Sequence, residues 1–270
     1  MDIVDLGSGP PLAVIPGIQG RWEWMRPGVE ALARRCRVVT FSLADEPSCH
    51  ARLSAPVDFN AYVDQVRGAL DQAGLERAAI CGVSYGGLIA TTFAARYPQR
   101  IHSLVLVSAL SPSWLPDARV SFYLRSPRLL APLFCISSPL HMRRELVAAI
   151  PNVRERVAIT VRSGWNVLRH MSSPTRMARR VHMVAGLDLT EEVASVRVPT
   201  LLVTGEATLD CVVPPRVTYE YQQLLPHARV ATIARTGHVG FITRPQAMAD
   251  AIVPFVEETA GEADARRRVG

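Results

Sequence analysis

Lysine is missing from this chain: all 30 basic residues are arginine. That uniformity points to genome composition and not to function. Cysteine is sparse. Cys36, Cys49, Cys81, Cys135 and Cys211 are scattered, odd in number and without a C-x-x-C pair. This argues against a disulfide framework and a zinc site, and fits reduced thiols. No apolar run approaches the roughly 18 residues of a membrane span. The start Met1-Asp2-Ile3-Val4-Asp5 is acidic and short of apolar length, so no signal peptide is expected and the expected location is cytoplasmic. Repeats, low-complexity stretches and nucleic-acid-binding motifs are lacking too.

What is present is a substantial core: 49% of the 270 residues are hydrophobic, against global disorder. Charge is unevenly placed. Between Ser111 and Thr190 there are 12 arginines against Asp117, Glu145, Glu155 and Asp188, a net +8; the remainder has 18 arginines against 20 acids, a net −2. This excess is read as a solvated basic surface, or as attraction for anionic substrates or a membrane surface.

The first 110 residues alternate strand and helix signals. Leu12-Ala13-Val14-Ile15 ends at Pro16-Gly17; Arg37-Val38-Val39-Thr40-Phe41 is a second β-branched run. Residues 58–73 have helical spacing and stop before Gly74. A buried strand at 78–81, a helix at 85–97 and an apolar strand at 103–107 follow. Continuous apolar strands separated by helices imply a parallel sheet covered on both faces. From about 111 to 194 no convincing strand is legible, and prolines punctuate helical stretches. Strand and helix then resume at 200–203, 215–225, 229–233 and 245–256. Residues 259–270 are polar and small, and are expected to fray.

Ile80-Cys81-Gly82-Val83-Ser84-Tyr85-Gly86-Gly87 carries the sharpest chemical signal. It places G-x-S-x-G between an apolar strand and a helix, the setting of a nucleophile elbow. Such a serine sits on a strained turn, and glycines let strand and helix pass closely. The helix start aims N–H groups at developing negative charge. A serine hydroxyl needs a base and a group to orient it. Of seven histidines, His238 follows the strand at 229–233 in a short loop on the edge where Ser84 stands. His50, His102, His141, His170, His182 and His227 lack that placement. Two carboxylates compete after the strand at 200–203, Glu206 and Asp210, and position alone does not choose between them.

The core resembles the α/β-hydrolase superfamily over residues 3–110 and 196–257. The resemblance implies a mostly parallel, doubly wound sheet flanked by helices, with core residues 1–110 and 195–258, a helical cap at 111–194 inserted after the sixth strand, and a flexible tail at 259–270. The family's order of nucleophile, acid and histidine matches Ser84, Asp210 and His238. Its D-x-x-V-P context matches Asp210-Cys211-Val212-Val213-Pro214, which assigns the acid to Asp210, although the stretch from Gly205 is about two residues longer than usual. The family's histidine before the oxyanion loop is replaced by Pro16. The oxyanion donors implied are the backbone N–H groups of Ile18 and Tyr85. Trp22 and Trp24 either wall a substrate pocket or anchor this loop. Arg125, Arg128, Arg143, Arg144, Arg176, Arg179 and Arg180 are read chiefly as solvated; any facing inward would suit a carboxylate.

Three functions remain open. One is a serine hydrolase cleaving an ester, thioester or lactone through an acyl-enzyme, with a small-molecule substrate and no cofactor or metal. Another is a carbon–carbon bond hydrolase, perhydrolase or acyltransferase on the same triad. The third is a non-catalytic small-molecule binder. Fold and triad alone do not specify the substrate.

Overall fold

The computed structural model describes residues 1–50 and 57–269. Seven strands form one sheet: β1 (Val4–Leu6), β2 (Pro11–Ile15), β3 (Arg37–Thr40), β4 (Ala78–Val83), β5 (Ile101–Val107), β6 (Thr200–Thr204) and β7 (Arg229–Thr232). Their order is β1-β3-β2-β4-β5-β6-β7. Every neighbouring pair is parallel except β1 with β3, so β1 is an antiparallel edge.

The continuous apolar strands follow from burial on both faces. Ala13, Ile15, Val39, Ile80, Leu104 and Leu106 face one core, with Val63 and Val66 of α2 (Phe59–Gln72) and Ile89 and Phe93 of α3 (Tyr85–Arg96). Their neighbours Leu12, Val14, Val38, Cys81, Val105 and Val107 face the other. There they meet Val29 and Leu32 of α1 (Arg26–Leu32) and Ile252 and Val256 of the last helix. Strand alternation thus feeds two apolar layers at once.

Between β5 and β6 the described chain is helical: α4 (Ala118–Leu124), α5 (Pro127–His141), α6 (Arg143–Ala149), α7 (Val153–Arg169), α8 (Pro174–Val184) and α9 (Thr190–Ala194). Asp117 caps α4 by accepting the Val120 N–H, and Asn152 caps α7 by accepting the Glu155 N–H. This insertion follows the fifth strand among the described residues, where the sequence reading put it after the sixth. The outer surface of the insertion leaves Leu129, Val157, Val161 and Trp165 exposed. After β6 come α10 (Pro215–Leu224), α11 (Gly240–Thr243) and α12 (Pro245–Val269).

The expected fraying tail differs too, because α12 continues as helix through Val269. Buried Thr259 holds it on the core, its hydroxyl oxygen lying 2.9 Å from both Phe255 O and Ser103 Oγ. Gly270 lies outside the described residues. No described helix is long and apolar enough to cross a membrane.

Candidate active site

The parallel strands all end at one sheet edge, and the candidate residues follow those ends. Ser84 directly follows β4. Its φ of 54° and ψ of −118° put a non-glycine residue in left-handed space, a strain that the surrounding structure must hold. Its backbone is clamped on both sides: its N–H donates to Val107 O at 2.8 Å, and its carbonyl accepts the Gly87 N–H at 2.9 Å. The flanking glycines are required by contact. A Cβ at Gly82 would stand 2.3 Å from Gly86 O, and one at Gly86 would stand 2.6 Å from the carbonyls of Ile15 and Pro16. Gly17 also borders the elbow, since a Cβ there would lie in van der Waals contact, 3.5 Å from Ser84 Cβ. The loop bearing Ile18 therefore lies against the nucleophile candidate.

Asp210 and His238 come from the loops after β6 and β7. Asp210 Oδ2 is 3.4 Å from His238 Nδ1, while Oδ1 accepts the N–H groups of Val212 and Val213 at 3.0 and 2.8 Å. Burial opposes the ionised form of Asp210, but His238 and these two N–H groups outweigh it and hold the carboxyl below its usual range. Burial likewise disfavours a charged His238, and Asp210, then Glu145, more than offset it, so the imidazole is raised above its ordinary value. Glu206 has another job. It accepts the Arg235 N–H at 2.6 Å and its own N–H donates to Thr236 O at 2.8 Å, which splints the two loops together.

Both tryptophans of this loop have a partner. The Trp24 indole N–H donates to His170 O at 2.9 Å, and the Arg26 guanidinium lies 4.8 Å over the Trp22 ring. Cys81 is fully buried, and burial pushes its thiol up to about 12.

Two residues of the insertion enter this region without a signal in the sequence. Arg180 of α8, read there chiefly as a solvated residue, is 0% exposed. It donates to Ile18 O at 2.8 Å, to Glu46 at 2.6 Å and to Asp45 at 2.5 Å. Only its place among Ala178, Val181 and Val184, the other buried residues of α8, would have marked it as inward-facing. Glu145 of α6, preceded by two exposed arginines, is 1% exposed and accepts the Val239 N–H.

A model of the alpha/beta hydrolase family matches residues 12–251. Over 257 residues the chain is 27% identical to the protein named "Putative carbamate hydrolase RutD" of Azorhizobium caulinodans, covering 93% of both. It is also 27% identical over 257 residues to the pimeloyl-(acyl-carrier protein) methyl ester esterase of Aeromonas hydrophila, covering 93% of this chain and 96% of that one. In fold it is similar to an esterase from Exiguobacterium antarcticum, with a TM-score of 0.77, 16% identity and 94% coverage of each chain.

Proposed function

The chain belongs to the alpha/beta hydrolase family, and from that premise we propose that it is a serine hydrolase cleaving a carboxylic ester, thioester or lactone with Ser84, His238 and Asp210. The observation that carries this reading is the strained Ser84 backbone at the end of β4, beside the sheet edge where Asp210 meets His238 at 3.4 Å. A serine held off its comfortable conformation needs a reason, and exposing Oγ for attack supplies one.

With Nδ1 of His238 turned to Asp210, Nε2 is the nitrogen left for Ser84. Ser84 Oγ attacks the carbonyl carbon as its proton passes to Nε2, and the carbonyl π pair moves to oxygen. The Ile18 and Tyr85 N–H groups receive that oxyanion. Its collapse expels an alcohol or thiol, which takes the proton from His238. Water then adds to the acyl-enzyme with His238 as base, releasing the acid and restoring Ser84. The insertion serves as a lid, a role supported by Arg180 and Glu145 reaching the Ile18 and His238 loops. Excluding water there strengthens the oxyanion interaction.

A fluorophosphonate probe and a panel of p-nitrophenyl esters and lactones test the reading. Labelling at Ser84 and turnover that disappear together in Ser84→Ala are expected. A folded wild-type protein that neither labels nor turns over any of them would overturn it in favour of a non-catalytic binder.

A further inference from the structure

Beside the Asp210–His238 pair stands a third carboxylate, and it comes from the insertion. Glu145 places Oε1 and Oε2 at 3.1 and 3.3 Å from the Val239 N–H, one residue past His238. The Thr243 hydroxyl lies 3.5 Å from Oε1. On the other side of His238, a Cβ at Gly237 would stand 2.6 Å from Glu145 Oε2 and 2.7 Å from Leu209 O. The Gly237 backbone is therefore held between this carboxylate and the acid loop, and glycine is what fits. Contacts on both sides of one histidine fix the short chain that carries it. The same corner of the insertion reaches the acid loop, where the Cys211 thiol donates to His141 O at 3.5 Å.

Pinning alone would not need a charge. Burial pushes Glu145 toward its neutral form, and among the described residues no arginine pairs with it. A buried carboxylate without a cation is costly unless its surroundings reward the charge. The group able to do so is the imidazolium that forms when Ser84 gives up its proton. The charged groups acting on that ring are Asp210 from the β6–α10 loop and Glu145 from α6. Cys211 neighbours Asp210, and the charge of Arg119 acts on Cys211.

We propose that Glu145 is a positioning residue that couples the docked insertion to the catalytic base: it fixes the 237–239 backbone around His238, and its charge stabilises the imidazolium. The proposal rests on the hydrolase reading of His238, and the experiment keeps the two separable.

Glu145→Gln keeps the size and one acceptor oxygen but removes the charge; Glu145→Ala removes both; Arg144→Ala alters the exposed neighbour as a control. Two readouts apply: NMR titration of the His238 imidazole, assigned by its loss in His238→Gln and needing no substrate, and kcat and KM for p-nitrophenyl acetate against pH. In Glu145→Gln the His238 pKa and the acidic limb of kcat/KM should fall together by about half a unit or more. Its kcat should drop about tenfold with KM nearly unchanged, and further in Glu145→Ala, while Arg144→Ala matches wild type. An unmoved His238 pKa in Glu145→Gln overturns the proposal even if thermal stability falls, because Glu145 would then be an anchor only. A shifted pKa with wild-type kcat overturns the positioning role. If wild type shows no ester turnover and no fluorophosphonate labelling, the hydrolase reading fails on that ground, and the titration still decides whether Glu145 governs His238. Glu145→Gln carries the test should Glu145→Ala not fold.

Discussion

Asp210 divides its two oxygens: Oδ1 takes the Val212 and Val213 N–H groups, and Oδ2 faces His238 Nδ1 at 3.4 Å. The first oxygen fixes the carboxylate, and the second is left facing the imidazole, the arrangement that the proposed triad needs of its acid.

A pH dependence follows. A raised His238 stays protonated, and unable to act as a base, to a higher pH than its ordinary 6.5, so kcat/KM should rise through a limb above that value. Asp210→Asn should lower that limb and cut kcat by about 10³–10⁴. Stability follows by linkage. The raised His238 contributes stability that is full below 6.5 and lost as pH rises through its folded pKa. The lowered Asp210 contributes stability that is full above 3.8 and lost as pH falls through its folded pKa. Denaturant titrations from pH 3 to 9 on wild type and Asp210→Asn check both, and parallel curves would refute the link.

Arg180 makes a second prediction. It is wholly buried and touches Asp45, Glu46 and the Ile18 carbonyl. Arg180→Met leaves two buried carboxylates without this partner, which should destabilise the fold by about 3–5 kcal/mol in urea titrations. Arg180→Lys restores the charge but not the planar fork, and should recover only part of the loss. A change under about 1 kcal/mol in Arg180→Met would mean the carboxylates find other partners.

Much of this site was legible because its constraints are local. Gly82 and Gly86 stand at fixed offsets from Ser84, and the clash each prevents is with backbone that any such turn brings close. His238 follows a strand end, so order along the chain singled it out, and the same argument narrowed the acid to the loop after β6. Choosing Asp210 over Glu206 needed the family's pattern, because both are carboxylates in one loop; the splint between Glu206 and Arg235 is a tertiary fact. Glu145 and Arg180 were illegible for the same reason. In sequence each is a charged residue on an arginine-rich helix, and its burial depends on where that helix docks. The helical end of α12 was missed because polar composition suggests fraying, whereas buried Thr259 ties that helix to Ser103 of β5.

The cysteines supply a third prediction. Buried Cys81, its thiol at about 12, should resist iodoacetamide in the folded protein, while exposed Cys135 and Cys211 react. Cys81→Ala should keep kcat within about threefold, because the proposed reaction uses the Ser84 hydroxyl and no thiolate. Peptide mapping after alkylation and an ester assay check this. Lost turnover in a folded Cys81→Ala would point to a thiol in the chemistry.

The last prediction concerns the arginine excess. Residues 111–190 carry a net +8 against −2 elsewhere, but not all of that charge is free to act at a distance. Arg180 is matched by Asp45 and Glu46, and Arg176 lies 3.6 Å from Glu46. Arg143 and Arg144 of α6 are exposed, and they immediately precede the Glu145 that reaches the His238 loop. Their field should raise the local concentration of an anionic ester near the site while leaving a neutral ester unaffected. Salt distinguishes the two, because the Debye length shrinks from about 30 Å at 0.01 M to about 8 Å at 0.15 M. Over that range kcat/KM for a carboxylate-bearing p-nitrophenyl ester should fall several-fold, and that for p-nitrophenyl acetate should stay flat. Arg143→Glu with Arg144→Glu should remove the difference without changing kcat on the neutral ester. Equal salt dependence of the two esters would sink the steering role and leave the lid and the Glu145 coupling standing, because those rest on buried contacts that salt barely screens.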